Sequence, residues 1–347
     1  MDKPFLRDFS ETELKDWILS IGEKPFRAKQ ILDWIWKKGI HQWDDMTNIP
    51  ESLRKKLKES FYWDRIVLHS IQKATDNTIK AAFTLTDNSV IEGVIIPSSE
   101  RVTACISTQV GCPVKCSFCA TGQMGYKRNL SAGEIYDQVM DLNQLSLQHF
   151  KKKLSNIVVM GMGEPMLNYE NTVRCLRKIS SQEGLGWSPQ RITLSTVGIP
   201  DFIKKLADEN LGVELAISLH SAIQEKREKL IPLAKKYKLE ELLSALKYYT
   251  NKTQQRITFE YLLLKDVNDQ KEDAKALIRL ASIINVKINL IHYNHVEGLG
   301  FYSSDDEQLT IFKNVLLEKN LIVKVRNSRG MDIDAACGQL ANKILKK

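Results

Sequence analysis

From about residue 100 onward, short apolar runs alternate with stretches whose apolar residues recur every three or four positions. The runs occupy 102–107, 157–160, 192–195, 213–218, 257–264 and 286–291, and helical spacing fills intervals such as 131–145 and 239–249. Strand-length runs separated by helix-length segments predict parallel strands joined by crossover helices. Six such units predict an α/β fold, a partial (β/α)6 barrel open on one side, as befits a large substrate. A last strand is expected at 321–325, ahead of a tail that begins at Asn327.

Most of these runs end on distinctive polar groups. A cysteine-rich loop follows the first and Gly161-Met162-Gly163-Glu164-Pro165 the second. Ser195-Thr196-Val197-Gly198 closes the third, Ser218-Leu219-His220 the fourth, and Asn294 follows the last. The C-terminal ends of parallel strands are where barrel folds gather reactive groups. Taken singly, each group has a structural explanation: glycines for a tight turn, serines capping helices, a histidine satisfied in its loop. It is the shared position that marks the set.

The first 60 residues follow a helical pattern instead. Ser10-Glu11-Thr12-Glu13 reads as an N-cap with acidic followers, and Leu14, Ile18 and Ile21 then recur at helical spacing. Further helices are expected near 26–36 and 51–61. Strands follow at 66–68, 79–85 and 90–96, with turns at Asp76-Asn77 and Asp87-Asn88-Ser89. Glu92 shares the strand parity of Val90, Val94 and Ile96, which sets a carboxylate on an otherwise apolar face. It is either an edge position or paired charge, or a buried proton acceptor. The chain thus divides into a helical module (1–62), a β-hairpin extension carrying Glu92 (63–97), the barrel core (98–330) and a tail (331–347).

Charge sharpens this picture. The 347 residues are 43% hydrophobic, enough for a sizeable core, and carry a formal charge of +8. That balance suits a polyanionic partner, or an ordinary basic enzyme. Lys24, Arg27, Lys29, Lys37, Lys38, Arg54, Lys55, Lys56 and Lys58 concentrate in the first module. They form either a solvated helix face or an RNA-docking surface. No apolar run reaches membrane-spanning length and the first residues lack an apolar signal core, so a cytoplasmic protein working without a membrane is expected. Its cysteines are then reduced, metal-bound or catalytic rather than structural disulfides.

Three of the cysteines lie in Gly111-Cys112-Pro113-Val114-Lys115-Cys116-Ser117-Phe118-Cys119. Thiolates are soft ligands suited to zinc or to iron-sulfur clusters. Three from one loop can hold a [4Fe-4S] cluster by three irons and leave the fourth open. Zinc usually takes four ligands, commonly in CxxC pairs, and no second pair exists here. Incidental core cysteines are the remaining alternative.

This loop resembles the signature of the radical S-adenosylmethionine (radical-SAM) superfamily. In that superfamily the open iron chelates SAM, and an electron cleaves it to methionine and a 5′-deoxyadenosyl radical. Taken with Ala120-Thr121-Gly122, Gly161 to Pro165, Ser218-Leu219-His220 and Asp332-Ile333-Asp334-Ala335-Ala336-Cys337-Gly338-Gln339-Leu340, it is similar over nearly the whole chain to the RlmN/Cfr family. That family consists of radical-SAM RNA methyltransferases that methylate an unactivated adenine carbon. The RlmN branch acts on C2 of an adenine in the peptidyl-transferase region of 23S rRNA and of the adenine 3′ of the anticodon in tRNA. The Cfr branch acts on C8 of the same rRNA base and confers antibiotic resistance. Pro165 resembles the C2 branch, since the C8 branch tends to carry Ala there. His292-Tyr293-Asn294 departs from relatives that commonly have Pro before the aromatic, but retains the Asn.

The resemblance implies roles residue by residue. Cys112, Cys116 and Cys119 would hold the cluster, and Gly163, Glu164, Ser195, Ser218, Leu219, His220 and Asn294 would contact SAM. Cys337 would take a methyl group from one SAM, and the radical from a second would remove a hydrogen from it. The carbon would then bond to the base, Glu92 would accept the base proton, and Cys105 would release the product by forming a disulfide with Cys337. The partners implied are 23S rRNA, tRNA, an external electron donor and a thiol reductant, with the protein acting as a monomer. Lys127, Arg128, Arg326 and Arg329 join the basic helices as expected phosphate contacts. Cys175 keeps the reading of a structural cysteine. Two readings compete with this one: an RNA-binding metalloprotein without catalysis, and a radical-SAM enzyme acting on a small molecule.

Overall fold

The computed structural model describes residues 3–40, 42–63 and 66–341; the end of the expected tail, 342–347, lies outside them. Helices α1 (Glu11–Ser20), α2 (Phe26–Leu32) and α3 (Glu51–Ser60) form the N-terminal module. Ser10 caps α1 as its sequence predicts: its hydroxyl accepts from the Glu13 amide, and Glu13 accepts from the Ser10 amide at 2.8 Å. The second helix continues through a π-helical turn at Asp33–Lys38 and stops at Gly39, whose φ is 59°.

β1 (Val67–Lys73), β2 (Ile79–Thr84) and β3 (Val90–Pro97) form an antiparallel extension that ends on β4 (Val102–Cys105). Its two turns pivot on Asn77 and Asn88, both left-handed with φ of 67° and 61°. A separate ribbon pairs β5 (Gln109–Gly111) with β6 (Tyr126–Asn129), and between them lie the cysteine loop and a short helix, α4 (Ala120–Gln123). The core then alternates α5 (Ala132–Phe150), β7 (Asn156–Val159), α6 (Tyr169–Ser180), β8 (Ile192–Thr196), α7 (Pro200–Glu209) and β9 (Glu214–Ser218). It continues with α8 (Gln224–Leu230), α9 (Leu239–Thr253), β10 (Ile257–Leu263), α10 (Lys271–Ala281), β11 (Val286–His292), α11 (Asp306–Leu317) and β12 (Ile322–Arg326).

The main sheet runs β1-β2-β3-β4-β7-β8-β9-β10-β11-β12, with all neighbours from β4 to β12 parallel. Among the described residues this is an open half-barrel of six α/β strands to which β12 adds a seventh. The seventh was legible as a strand but not as a barrel member. It pairs from Lys287↔Ile322 to Ile291↔Arg326, so Arg326 emerges beside the other C-terminal strand ends. One correction concerns β3. Glu92 could have been an edge position, yet Val90 through Ile95 are all buried, on both faces. Among the described residues, no helix is long and apolar enough to cross a membrane.

The N-terminal module is locked to the core through Arg7. Its guanidinium donates to Asp137 on α5 at 2.6 Å, to the Ile35 carbonyl at 3.0 Å and to the Gly133 carbonyl at 3.3 Å. It also lies over the rings of Trp36, Trp63 and Tyr136. Removing one partner of a buried ion pair leaves the other uncompensated. Arg7→Met is therefore expected to destabilise the fold by about 3 kcal/mol, read by urea unfolding. A loss below about 1 kcal/mol would mean that the module is held by apolar packing instead.

Candidate active site

The C-terminal strand ends open onto one cleft, with about 1490 Å³ of empty space including its mouth. Cys105, Cys112, Cys116, Cys119 and Cys337 all line it, with Gly163, Glu164, Ser195, Ser218 and His220. The ribbon of β5 and β6 presents the cysteine loop from one side. Behind that loop Val114, Cys116 and Phe118 pack on Leu230, Ile231, Leu262 and Ile291, a small apolar cluster apart from the main core.

Burial pushes the Cys112 thiol up to about 12 and those of Cys116 and Cys119 upward; nearby charges add to this, Glu164 and Cys119 at Cys112, Cys119 and Cys112 at Cys116, and Cys337 at Cys119. Three thiolates are stable here only beside a strong compensating cation. Backbone amides of Val114 and Lys115 already point at the Cys112 sulfur, and those of Thr121 and Gly122 at the Cys119 sulfur. Hydrogen bonds of this kind accompany iron-sulfur ligation. Among the described residues no three thiol, imidazole or carboxylate groups converge as a single-ion site would need. A cluster takes each thiolate on a different iron, so its ligands need not share one point. The donor set fits an iron-sulfur cluster.

Gly163 has a φ of 106°, and a Cβ there would meet the Gln109 backbone nitrogen at 2.8 Å. The residue is fixed by its turn and by close backbone approach. Glu164 beside it accepts from the amides of Met166 at 3.0 Å and Val197 at 2.8 Å. Burial nevertheless raises its pKa. Ser195 and Ser218 end the adjacent strands β8 and β9 with their hydroxyls 3.3 Å apart. His220 is buried and held down to about 3, mainly by desolvation and then by Arg227, so it is neutral. Its Nδ1 accepts from the Leu262 amide, which leaves the proton on Nε2. Two residues expected to contact SAM are not among those that line the cleft. Leu219 is wholly buried in the main core, and its amide is taken by the Glu260 carbonyl. Asn294 donates to the Cys337 carbonyl at 3.2 Å, so it holds the tail.

Cys105 ends β4 and Cys337 lies on the tail across the cleft; both are free thiols. Burial pushes Cys105 up to about 12, and the charge of Cys337 adds to this. The tail is fastened on several sides: Ala120 donates to the Gly338 carbonyl, the Thr121 hydroxyl to the Leu340 carbonyl, and Gln339 to the His295 carbonyl. Glu92 is fully buried, 3.6 Å from the Lys80 ammonium, and accepts from the Ala341 amide at 3.0 Å. The tail lies over it, so its carboxylate does not line the cleft.

Several basic residues are committed otherwise than their sequence suggested. Arg128 bridges Asp87 and Glu134 through four short hydrogen bonds. Arg27 and Arg54 donate to the carbonyls of Asn48 and Met46 within their own module. Arg326 lines the cleft, where the charges of Cys337 and then Glu260 raise its pKa against the effect of burial. Arg329 also lines the cleft, 3.9 Å from Asp76, while Lys127 pairs with Asp87 at 3.2 Å. Lys24, Lys29, Lys37, Lys38, Lys55, Lys56 and Lys58 remain exposed. Glu260 was missed, although an acid inside the apolar run 257–264 gave the same signal as Glu92. It is buried, accepts from Asn289 at 2.9 Å, and lies 3.9 Å from Arg326. Arg227 was missed too; buried close to Cys116, it donates to the Val197 carbonyl.

Known proteins resemble this chain over nearly its whole length. Residues 5–62 match the ribosomal RNA large subunit methyltransferase N-terminal domain, and residues 106–280 match the radical SAM superfamily. The chain is 44% identical to a probable dual-specificity RNA methyltransferase RlmN of Flavobacterium johnsoniae, over 99% of this chain and 98% of that protein. It is 46% identical to the protein of the same description from Thermotoga maritima, over 98% of each. The crystal structure of a radical SAM methyltransferase from Sphaerobacter thermophilus superimposes with a TM-score of 0.91 at 39% identity, covering 97% of this chain and 99% of that one. The chain belongs to the RlmN family of radical-SAM RNA methyltransferases.

Proposed function

We infer that this protein methylates C2 of an adenine in the peptidyl-transferase region of 23S rRNA, and C2 of the adenine 3′ of the anticodon in tRNA. The observation that carries this reading is the shared cleft, in which Cys105 and Cys337 face the cysteine triplet. A metalloprotein without catalysis leaves those two thiols with no task. The dual specificity in the relatives' names supports two RNA substrates, and Pro165 supports C2 over C8.

When bound, the cluster and two SAM molecules per turnover supply the methyl group and the radical that activates it. The chain's own residues do the rest. Cys337 carries the methyl group as a thioether, with Asn294 fixing its carbonyl. The activated carbon bonds to adenine C2, which joins RNA to protein through Cys337. Glu92 takes the base proton once the Ala341 end of the tail has moved off it, and the electron lost in the same step would be taken up by the iron-sulfur group that Cys112, Cys116 and Cys119 hold. Cys105 then attacks the Cys337 sulfur; an S–S bond forms, the S–C bond breaks, and the carbon takes a proton to become methyl. An external thiol reductant resets the pair, and an external donor supplies electrons. The target base must be unstacked to reach the cleft. The exposed lysines of the first module supply phosphate contacts, so binding should weaken steeply with salt.

The test uses SAM with a fully deuterated methyl group, reduced protein and rRNA, with nucleosides read by mass spectrometry. A methyl with two deuteriums on C2 is expected. Two deuteriums on C8 would move the protein to the other branch. Three retained deuteriums would mean direct displacement, and the Cys337 route would be wrong.

A further inference from the structure

Lys80 projects from β2, and Glu92 from the facing strand β3, at registers that pair Lys80 with Val94 and Ala82 with Glu92. Both side chains are almost fully buried, at 3% and 0% exposure. A lysine is rarely buried so completely unless it is paired. Its ammonium has two neighbours of interest. One is Glu92 Oε1 at 3.6 Å, an oxygen that accepts no hydrogen bond among the described residues. The other is the carbonyl of Asp334, at 3.4 Å. Glu92 Oε2 accepts from the amide of Ala341. Cys337 lies between those two tail residues, so the segment carrying it leaves and returns to one buried ion pair.

We propose that Lys80 is a positioning residue for methyl transfer: it compensates the charge of the buried Glu92 carboxylate and holds the start of the Cys337 segment, which keeps proton acceptor and methyl carrier in fixed relation. The inference rests on the role assigned to Glu92 above. Its physical basis is that a carboxylate shut from water needs a cation or full hydrogen bonding, and Oε1 has the cation alone. A lysine serving only to hold β2 in the sheet would have no reason to reach the tail carbonyl.

The test compares K80M, K80R and E92Q in the complete protein, measuring 5′-deoxyadenosine and methyladenine in parallel. In K80M, 5′-deoxyadenosine formation should stay within about threefold of the unaltered protein while methyladenine per SAM cleaved falls roughly tenfold or more, a fraction of what loss of a general base costs. The RNA adduct on Cys337 should accumulate. K80R, which keeps the cation, should recover most of the ratio. Amide hydrogen exchange across 334–341, read without substrate, should quicken in K80M and not in K80R. A purely structural lysine would lower both products in proportion, and an unchanged product ratio with unchanged tail exchange would overturn the proposal. Should K80M fail to fold, the double variant K80M/E92Q decides. Recovery of folding would support charge compensation, and continued failure would make Lys80 a strut and refute it. E92Q separates the two levels. If E92Q turns over normally, the role of Glu92 is wrong; if only E92Q is impaired, Lys80 alone is misassigned.

Discussion

Replacing Cys112 with alanine is expected to cut anaerobic SAM cleavage by more than about a hundredfold, since even loss of groups that merely support metal ligands costs ten- to hundredfold. The expectation rests on the loop. Burial first, and then nearby charge, raises each thiol, so a compensating cation beside them favours the thiolates. Two ligands left on a loop built for three would keep the cluster poorly. The fold should survive, because Cys112 is only packed against the small apolar cluster and ends no hydrogen-bond ladder of the main sheet. The measurement is chromatographic assay of 5′-deoxyadenosine with reduced protein, alongside iron content and circular dichroism. Normal cleavage with normal iron content would dismiss the assignment of this cysteine as a ligand.

What the sequence disclosed, and what it hid, follows from range. The parallel strands were legible because strands buried on both faces are continuous apolar runs, and their polar ends fell at one rim. The cysteine loop was legible because its ligands are neighbours in the chain. Partners far apart in sequence were not. Arg128 looked like a phosphate contact because nothing near it shows Asp87 folding back 41 residues to meet it. Arg326 looked the same, and only the parallel register of β12 on β11 brings it to Glu260 and Cys337. Lys80 drew no reading, since the tail carbonyl it meets arrives 254 residues later. Leu219 was singled out with its motif neighbours, and only the fold shows that its side chain packs into the core. The ribbon of β5 and β6 is too short to show any period.

The Cys105→Ala variant should trap most of the substrate RNA as a covalent adduct on Cys337, with free methyladenine falling by at least roughly a hundredfold, since no other thiol is placed to attack. Among the described residues the remaining free cysteine outside the triplet is Cys175, buried in the core on α6. The geometry also sets when Cys105 can react. Burial first, and then the charge of Cys337, push its thiol up to about 12, while Arg326 opposes them. Once the Cys337 sulfur is bonded to carbon it carries no negative charge, so the second of these causes disappears in the adduct. The thiolate of Cys105 is then easier to form at the stage that needs it, with Arg326 still beside it. Below its pKa the thiolate fraction rises tenfold per pH unit, so release in the unaltered protein should quicken as pH rises. The checks are a denaturing gel with labelled RNA for the trapped species and single-turnover release at several pH values. Free methyladenine at the normal rate from Cys105→Ala would assign resolution to another group. Release that slows with rising pH would mean that the step is not limited by the Cys105 proton.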